Sequence, residues 1–283
     1  MPINTSTAEA MFTYDFMQNA LAAAGVVAVV CGFVGFFLVL RAQTFAGHAL
    51  SHVGFAGATG AALVGLSPLW GLVALTLAAG VGMGLLGERL HHRDVAVGIV
   101  LAMSLGIGLL FLHFFTAYAT QATALLFGNI LGVDAATVWT LLGIAVIAVA
   151  ALAVISRPLL FASLQPELAE AKGVSLRLVS VLFLAIVALA VAECAQIVGV
   201  LLVFALMVGP AAAAQLCTTR FWHGIALAVV LALIEAWLGL ILAFVTDWPT
   251  SFWITTLSGG VYLLISLVRF PAARDVLRAI PRR

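Results

Sequence analysis

The chain has 283 residues, of which 65% are hydrophobic and only 8% charged, against about 25% charged in an ordinary soluble domain. A water-soluble globule is excluded, and at about 20 residues per bilayer crossing the apolar content is enough for about eight to ten spanning helices, leaving no length for a separate catalytic domain. The net charge of +1 excludes a nucleic-acid-binding surface, which needs a basic face.

The first basic residue is Arg41, so the charged start of a cleavable signal peptide is missing and the first span is expected to direct insertion. Apolar runs follow at 18–40, 45–66, 69–87, 95–116, 135–155, 175–195, 197–216, 223–245 and 251–269. Helix is expected for each, because lipid leaves no water to satisfy backbone groups and the runs are about twice the length of barrel strands. The expected fold is therefore an all-α, polytopic membrane protein with about nine transmembrane helices. The second run is crowded with glycine, and the stretch 175–216 has no real polar break.

Charge fixes the expected orientation. With an outside N-terminus and nine crossings, all 12 basic residues fall on the inner side: Arg41, Arg89, Arg93, Arg157, Lys172, Arg177, Arg220, Arg269, Arg274, Arg278, Arg282 and Arg283. The outer segments hold only the acids Glu9, Asp15, Asp134 and Asp247, which is the positive-inside pattern. The chain thus reads as a single transmembrane domain, 1–283, with an outer N-terminal segment at 1–17 and a basic cytoplasmic tail at 270–283. The outer stretch Tyr118 to Val133 is apolar enough to dip into the membrane. The longest cytoplasmic loop, 156–175, carries a short helix signal: Pro166 suits a first turn, Glu167 and Glu170 the positive end, Lys172 the other end, and Gly173 the stop. It reads either as a docking helix or as a solvated connector.

Ionisable groups inside spans cost about 2.5 to 3.5 kcal/mol at the bilayer centre, so each is a candidate for function. His48 and His52 stand at i and i+4, which puts both imidazoles on one helix face; they could share a transition metal or simply hydrogen-bond to neighbouring helices. Glu193 offers an anionic oxygen and the adjacent Cys194 a soft sulfur to a divalent cation, although Glu193 could also reach the outer interface. Glu235, midway along the eighth run, and His113, at the end of the fourth, are weaker candidates. His91, His92 and His223 lie in inner loops and read as surface residues. Gly47, Gly54, Gly57, Gly60 and Gly65 allow close backbone approach, which places the histidine-bearing helix inside the bundle.

A transporter and an intramembrane metalloprotease would both use such a pair. The protease signature H-E-x-x-H contains a glutamate base, whereas this stretch reads His48 Ala49 Leu50 Ser51 His52. G-x-S-x-G is absent, and no phosphate-binding G-x-x-x-x-G-K-[ST] surrounds Lys172, the one lysine of the chain. Energy must come from an ion gradient or from another chain.

Four ordered blocks carry a family resemblance. RAQTFAGHALSHVGFAG at 41–57 is similar to the R-x-x-x-x-G-D-A-L-S-H-A region of the membrane permeases of bacterial ABC-type zinc and manganese importers. VGVLLVFALMVGPAAAAQ at 198–215 resembles that family's V-G-x-L-L-V-x-A-L-L-x-x-P-A-A-T-A segment, and LFGNILGV at 126–133 and QPELAEAKGV at 165–174 match two further blocks in the same order. The resemblance implies an inner-membrane permease that homodimerises, pairs with cytoplasmic ATP-binding subunits, and receives metal from a periplasmic or lipid-anchored binding protein. It also implies that Gln165, Pro166, Glu167, Leu168, Ala169, Glu170 and Gly173 form the coupling helix that docks on the ATPase. No cofactor is expected to be bound permanently; zinc or manganese would be the cargo, and ATP would sit on the partner. Two departures stand out. Gln165 replaces an aspartate, a better helix cap. His48 replaces the aspartate of the first block, and exchanging a hard carboxylate for an imidazole favours zinc over manganese. The expected mechanism is alternating access, with metal held transiently by His48, His52 and an acid such as Glu193. A gradient-driven metal carrier is the alternative.

Overall fold

The computed structural model describes residues 14–86, 90–115, 126 and 128–279, with side chains throughout except at 90–94, 96, 201 and 270–279. Among these residues the chain forms ten α-helices and one short 3-10 turn. In chain order they are α1 (Asp15–Leu40), α2 (Thr44–Leu63), α3 (Pro68–Leu85), α4 (Leu90–His113), the 3-10 turn (Ile130–Gly132), α5 (Ala135–Leu164), α6 (Pro166–Ala171), α7 (Leu176–Val198), α8 (Val200–Cys217), α9 (Phe221–Thr246) and α10 (Thr250–Ala279).

Six of these are long and apolar enough to cross a membrane: α1, α3, α5, α7, α9 and the Thr250–Arg269 part of α10. The apolar stretches of α4 and α8, Val97–His113 and Leu202–Cys217, are shorter. The chain is thus a polytopic helical membrane protein. The second predicted run, which forms α2, falls outside the six for a physical reason. It carries two histidines, Ser51, Thr59 and four glycines in 20 residues, and 14 of those 20 are buried by neighbouring helices. A helix that faces protein has no need of a lipid-compatible surface.

The boundaries differ from the sequence reading in three places. Residues 156–164 of the expected cytoplasmic loop are the last turns of α5, which runs through Pro158 to Leu164. The proline removes one helix hydrogen bond, but the buried stripe Leu152, Ser156, Leu159 and Ala162 continues past it and carries the helix on. α10 likewise continues through 270–279 of the expected tail. The break between α7 and α8 falls at Gly199, whose φ of 83° lies in a region open chiefly to glycine. Residues 1–13, 87–89, 116–125, 127 and 280–283 lie outside the described residues, and with them most of the outer N-terminal segment and the first half of the expected dip. Its second half is described: Ile130 and Val133 are buried, the 3-10 turn packs on α1, and Gly128 sits against the Ile197 and Val198 backbone at the α7–α8 break.

α1 is the central post, packed against α5, α7, α8 and α9, while α2 is enclosed by α3, α4, α7 and α8. Burial follows this order: 72% of the most apolar window of α1 is inside the bundle, against 11% for α10. Lipid tails are as apolar as leucine, so helix association here depends on close van der Waals packing of small residues. The α2–α3 contact shows it best. A Cβ built on Gly57 would overlap the Gly71 carbonyl oxygen and lie 2.8 Å from its carbonyl carbon, and one on Gly71 would overlap Gly57 in the same way. The two backbones touch directly, and this pins the height of α2.

Candidate metal site

α2 begins one tight turn after α1. Arg41, Ala42 and Gln43 donate their backbone N–H groups to Phe37, Val39 and Leu38, at 3.0, 3.0 and 2.9 Å, and Ala42 takes a φ of 52° to make the reversal. The Gln43 carbonyl then accepts from Ala46 and Gly47, closing the first turn of α2. Gly47 faces Leu38, whose Cδ2 would lie 2.6 Å from an added Cβ, so a side chain here would have to displace that leucine's end. His48 and His52 stand one and two turns along.

The two imidazoles meet as the i, i+4 spacing requires, with ring centroids 4.8 Å apart and planes at 84°. His48 also packs edge-on against Phe204 of α8, at 4.9 Å and 67°. His52 is 8% exposed and His48 is half-buried. The Nδ1 atom of each ring is buried without a hydrogen-bond partner. Beside them, the Ser51 hydroxyl donates to the His48 carbonyl at 2.7 Å. It is therefore spent on the backbone and holds neither ring. A pair of ring nitrogens left open in a protein-lined position is what a transient metal ligand set needs, whereas a purely structural histidine has its nitrogen satisfied.

The other sequence candidates are placed as follows. Glu193 on α7 is fully buried, and neither carboxylate oxygen has a hydrogen-bond partner; the expected alternative, an exposed interfacial carboxylate, is ruled out by that burial. Cys194 is also fully buried, with its Sγ 3.4 Å from Cys31 Sγ on α1 and 4.0 Å from the Val27 carbonyl. Both thiols are free. No local signal in the sequence pairs Cys31 with Cys194, because the contact joins residues 163 apart in the chain. Glu235 on α9 is 2% exposed, with its carboxylate beside Ser258 of α10 but without a hydrogen bond; the Ser258 hydroxyl donates instead to the Ala205 carbonyl at 3.0 Å. His113, the last residue of α4, is exposed with its ring against Phe114, and His223 is exposed as expected but stands in the first turn of α9 and not in a loop. His91 and His92, expected in an inner loop, fall in the first turn of α4, and their side chains lie outside the described ones. Among the described residues no three of His, Cys, Asp and Glu gather into one cluster. The geometry brings His48 and His52 together, and Cys194 to Cys31, but it does not join Glu193 to the histidines in a three-ligand group.

The short helix falls where the loop signals put it. Pro166 opens α6 and Glu167 lies in its first turn; Gln165, at the cap position, makes no side-chain cap hydrogen bond, as its replacement of aspartate would lead one to expect. Gly173 ends the segment at a φ of 84°, and the Val174 N–H closes it onto the Ala169 carbonyl at 2.9 Å. Ala169 is buried beneath, while Pro166, Glu167, Leu168 and Glu170 are exposed, with Leu168 47% exposed. One face thus holds the helix to the bundle and the other is free.

Relatives agree with this architecture. A manganese transport system membrane protein of Listeria innocua, MntC, is 28% identical over 263 residues, covering 93% of this chain and 91% of that protein. A manganese import system permease of Streptococcus parasanguinis, ScaB, is 28% identical over 268 residues, covering 94% and 95%. Among solved structures, PsaBC from Streptococcus pneumoniae in complex with Fab superposes with a TM-score of 0.83 at 26% identity, over 92% of this chain and 94% of that one. The sequence matches the ABC 3 transport family over residues 13–269, nearly its whole length, and the chain belongs to that family.

Proposed function

We propose that this chain is the permease subunit of an ATP-driven importer of a divalent transition metal, with zinc preferred over manganese. One observation carries the reading of the site: two imidazoles one turn apart on the enclosed helix α2, each with a buried, unpartnered Nδ1. Imidazole suits zinc, while manganese sits lowest in the affinity order for nitrogen ligands and prefers hard oxygen. The manganese in the names of MntC and ScaB is said of those proteins; here His48 occupies the place where the resembled block has aspartate. Two ligands from one chain leave positions for water, for an acid such as Glu193 after a rearrangement, or for a second copy of the chain, and such an open set suits transit better than a closed four-ligand site.

In this reading the permease crosses the membrane nine times with its N-terminus outside and its C-terminus in the cytoplasm, because that arrangement puts all 12 basic residues on the inner side. It homodimerises, takes metal from a binding protein on the outer face, and docks α6 on a cytoplasmic ATP-binding subunit. ATP turnover then alternates access to the histidine pair. The test is uptake of zinc and manganese ions by cells expressing the parent chain and His48→Asp. The parent should favour zinc and the variant should shift towards manganese; a parent that favours manganese, or a variant with unchanged preference, overturns the metal assignment.

A further inference from the structure

Arg41 makes contacts that the metal site and the docking helix do not by themselves require. Its Nη1 donates to the Ser163 hydroxyl at 2.9 Å, and its guanidinium lies 5.4 Å from the centroid of the Phe183 ring, which is fully buried in α7. Ser163 is the next-to-last residue of α5, and its own hydroxyl donates a hydrogen bond to the Leu159 carbonyl. Gln165 follows as the shared cap of α5 and α6, with its N–H on Phe161 and its carbonyl taking the Ala169 N–H. On the other side, Arg41 belongs to the rigid turn that opens α2, and His48 lies about 6 Å further along that helix at 1.5 Å per residue. Arg41 therefore ties three elements together: the turn that opens α2, to which it belongs, and, through its guanidinium, the last turn of α5 before the docking helix and Phe183 of α7.

We propose that Arg41 is the positioning residue that makes α6 and the His48–His52 pair move together, through its hydrogen bond to Ser163 and its seat on Phe183. The proposal rests on the reading that α6 docks on the ATP-binding subunit. An arginine that merely snorkels to the membrane surface keeps its head in water and needs no fixed partner. Arg41 has a specific hydroxyl and a fully buried ring. Its planar fork can serve both at once, edge to oxygen and face to ring, which a lysine ammonium cannot. When α6 is displaced, the end of α5 moves with it, and Ser163 draws on the α1–α2 turn; because that turn is hydrogen-bonded at three successive residues, the motion is delivered to α2 without being absorbed.

The test measures uptake of zinc ions in cells across metal concentrations, together with the amount of folded permease and its Tm after purification, for Ser163→Ala, Ser163→Thr, Arg41→Lys and Leu168→Asp. Coupling between two sites is typically worth a factor of about 5 to 150, so Ser163→Ala and Arg41→Lys are expected to lower maximal uptake by about tenfold. The half-saturating zinc concentration, folded amount and Tm should stay at parent values, and Ser163→Thr, which keeps the hydroxyl, should restore the rate. Parent-like maximal uptake in both variants, or a raised half-saturating concentration, overturns the proposal, as does a loss that tracks folded protein. Leu168→Asp separates the two levels. If it blocks uptake while Ser163→Ala does not, docking stands and the role of Arg41 falls. If it leaves uptake normal while Ser163→Ala impairs it, the docking reading fails and takes the proposal with it.

Discussion

Truncating the histidine pair separates a metal site from a packing role, because the structure assigns the two readings different magnitudes. In His48→Ala and His52→Ala no hydrogen bond through Nδ1 is lost, since neither atom has a partner. What folding loses is packing. For half-buried His48 that is one edge-on contact with Phe204 and one with His52, about 1 kcal/mol on the scale of aromatic pairs. For buried His52 a cavity is added, giving about 2 to 3 kcal/mol on the scale of large-to-small core changes. At about 2 to 4 °C per kcal/mol in a chain of this size, both variants should melt less than about 12 °C below the parent and still accumulate. Metal binding should suffer far more. Losing even a group that only orients a metal ligand costs about 10- to 100-fold in affinity, so losing a ligand should cost at least that. The assay compares zinc retained per folded molecule after purification, half-saturating zinc in cells, and Tm, with the exposed His223→Ala as control. Folded variants that retain and transport zinc like the parent would refute the site, and so would losses that merely follow the fall in folded protein.

Three further outcomes are expected. Gly57→Ala forces apart the α2 and α3 backbones at Gly71 and should cost about 1 to 3 kcal/mol of stability as overpacking, lowering both Tm and uptake; an unchanged Tm would show that this contact does not fix α2. Cysteines introduced at Asp134 and Asp247 should react in intact cells with an impermeant thiol reagent, and one at Lys172 should not; labelling at Lys172 would reverse the orientation. Hydrogen bonds from the Thr137 side chain and backbone hold the exposed Asp134 carboxyl below its ordinary range, so its support for the start of α5 is complete above the unfolded value, about 4, and is lost as pH falls through the lowered one. Protection of the first-turn amides of α5, taken relative to their intrinsic exchange rate at each pH, should therefore fall in acid for the parent but not for Asp134→Asn, and equal pH dependence would remove the cap.

Much of this protein is legible in its composition and local spacing. The apolar runs dictate membrane helices because lipid offers backbone groups no other partner. The i, i+4 spacing dictates that His48 and His52 meet, and proline, acid and glycine at fixed offsets dictate α6. These are short-range facts, and the structure reproduces most of them within a few residues, while α5 and α10 run 9 and 10 residues past the predicted ends at 155 and 269. Other features depend on which helix lies beside which. Periodicity could not tell that α5 would persist through Pro158, since the buried stripe that carries it exists only against its neighbours. No spacing joins Cys31 to Cys194, 163 residues away, or Arg41 to Ser163, 122 residues away. Glu193 could be read from sequence as solvated at the interface or buried, and only the packing of α7 among α1, α2, α3, α5 and α8 decided for burial. In a bundle where nearly every helix is apolar all round, hydrophobicity does not choose partners. Close contacts such as Gly57 on Gly71 choose them, and a contact of that kind exists only once both chain segments are in place.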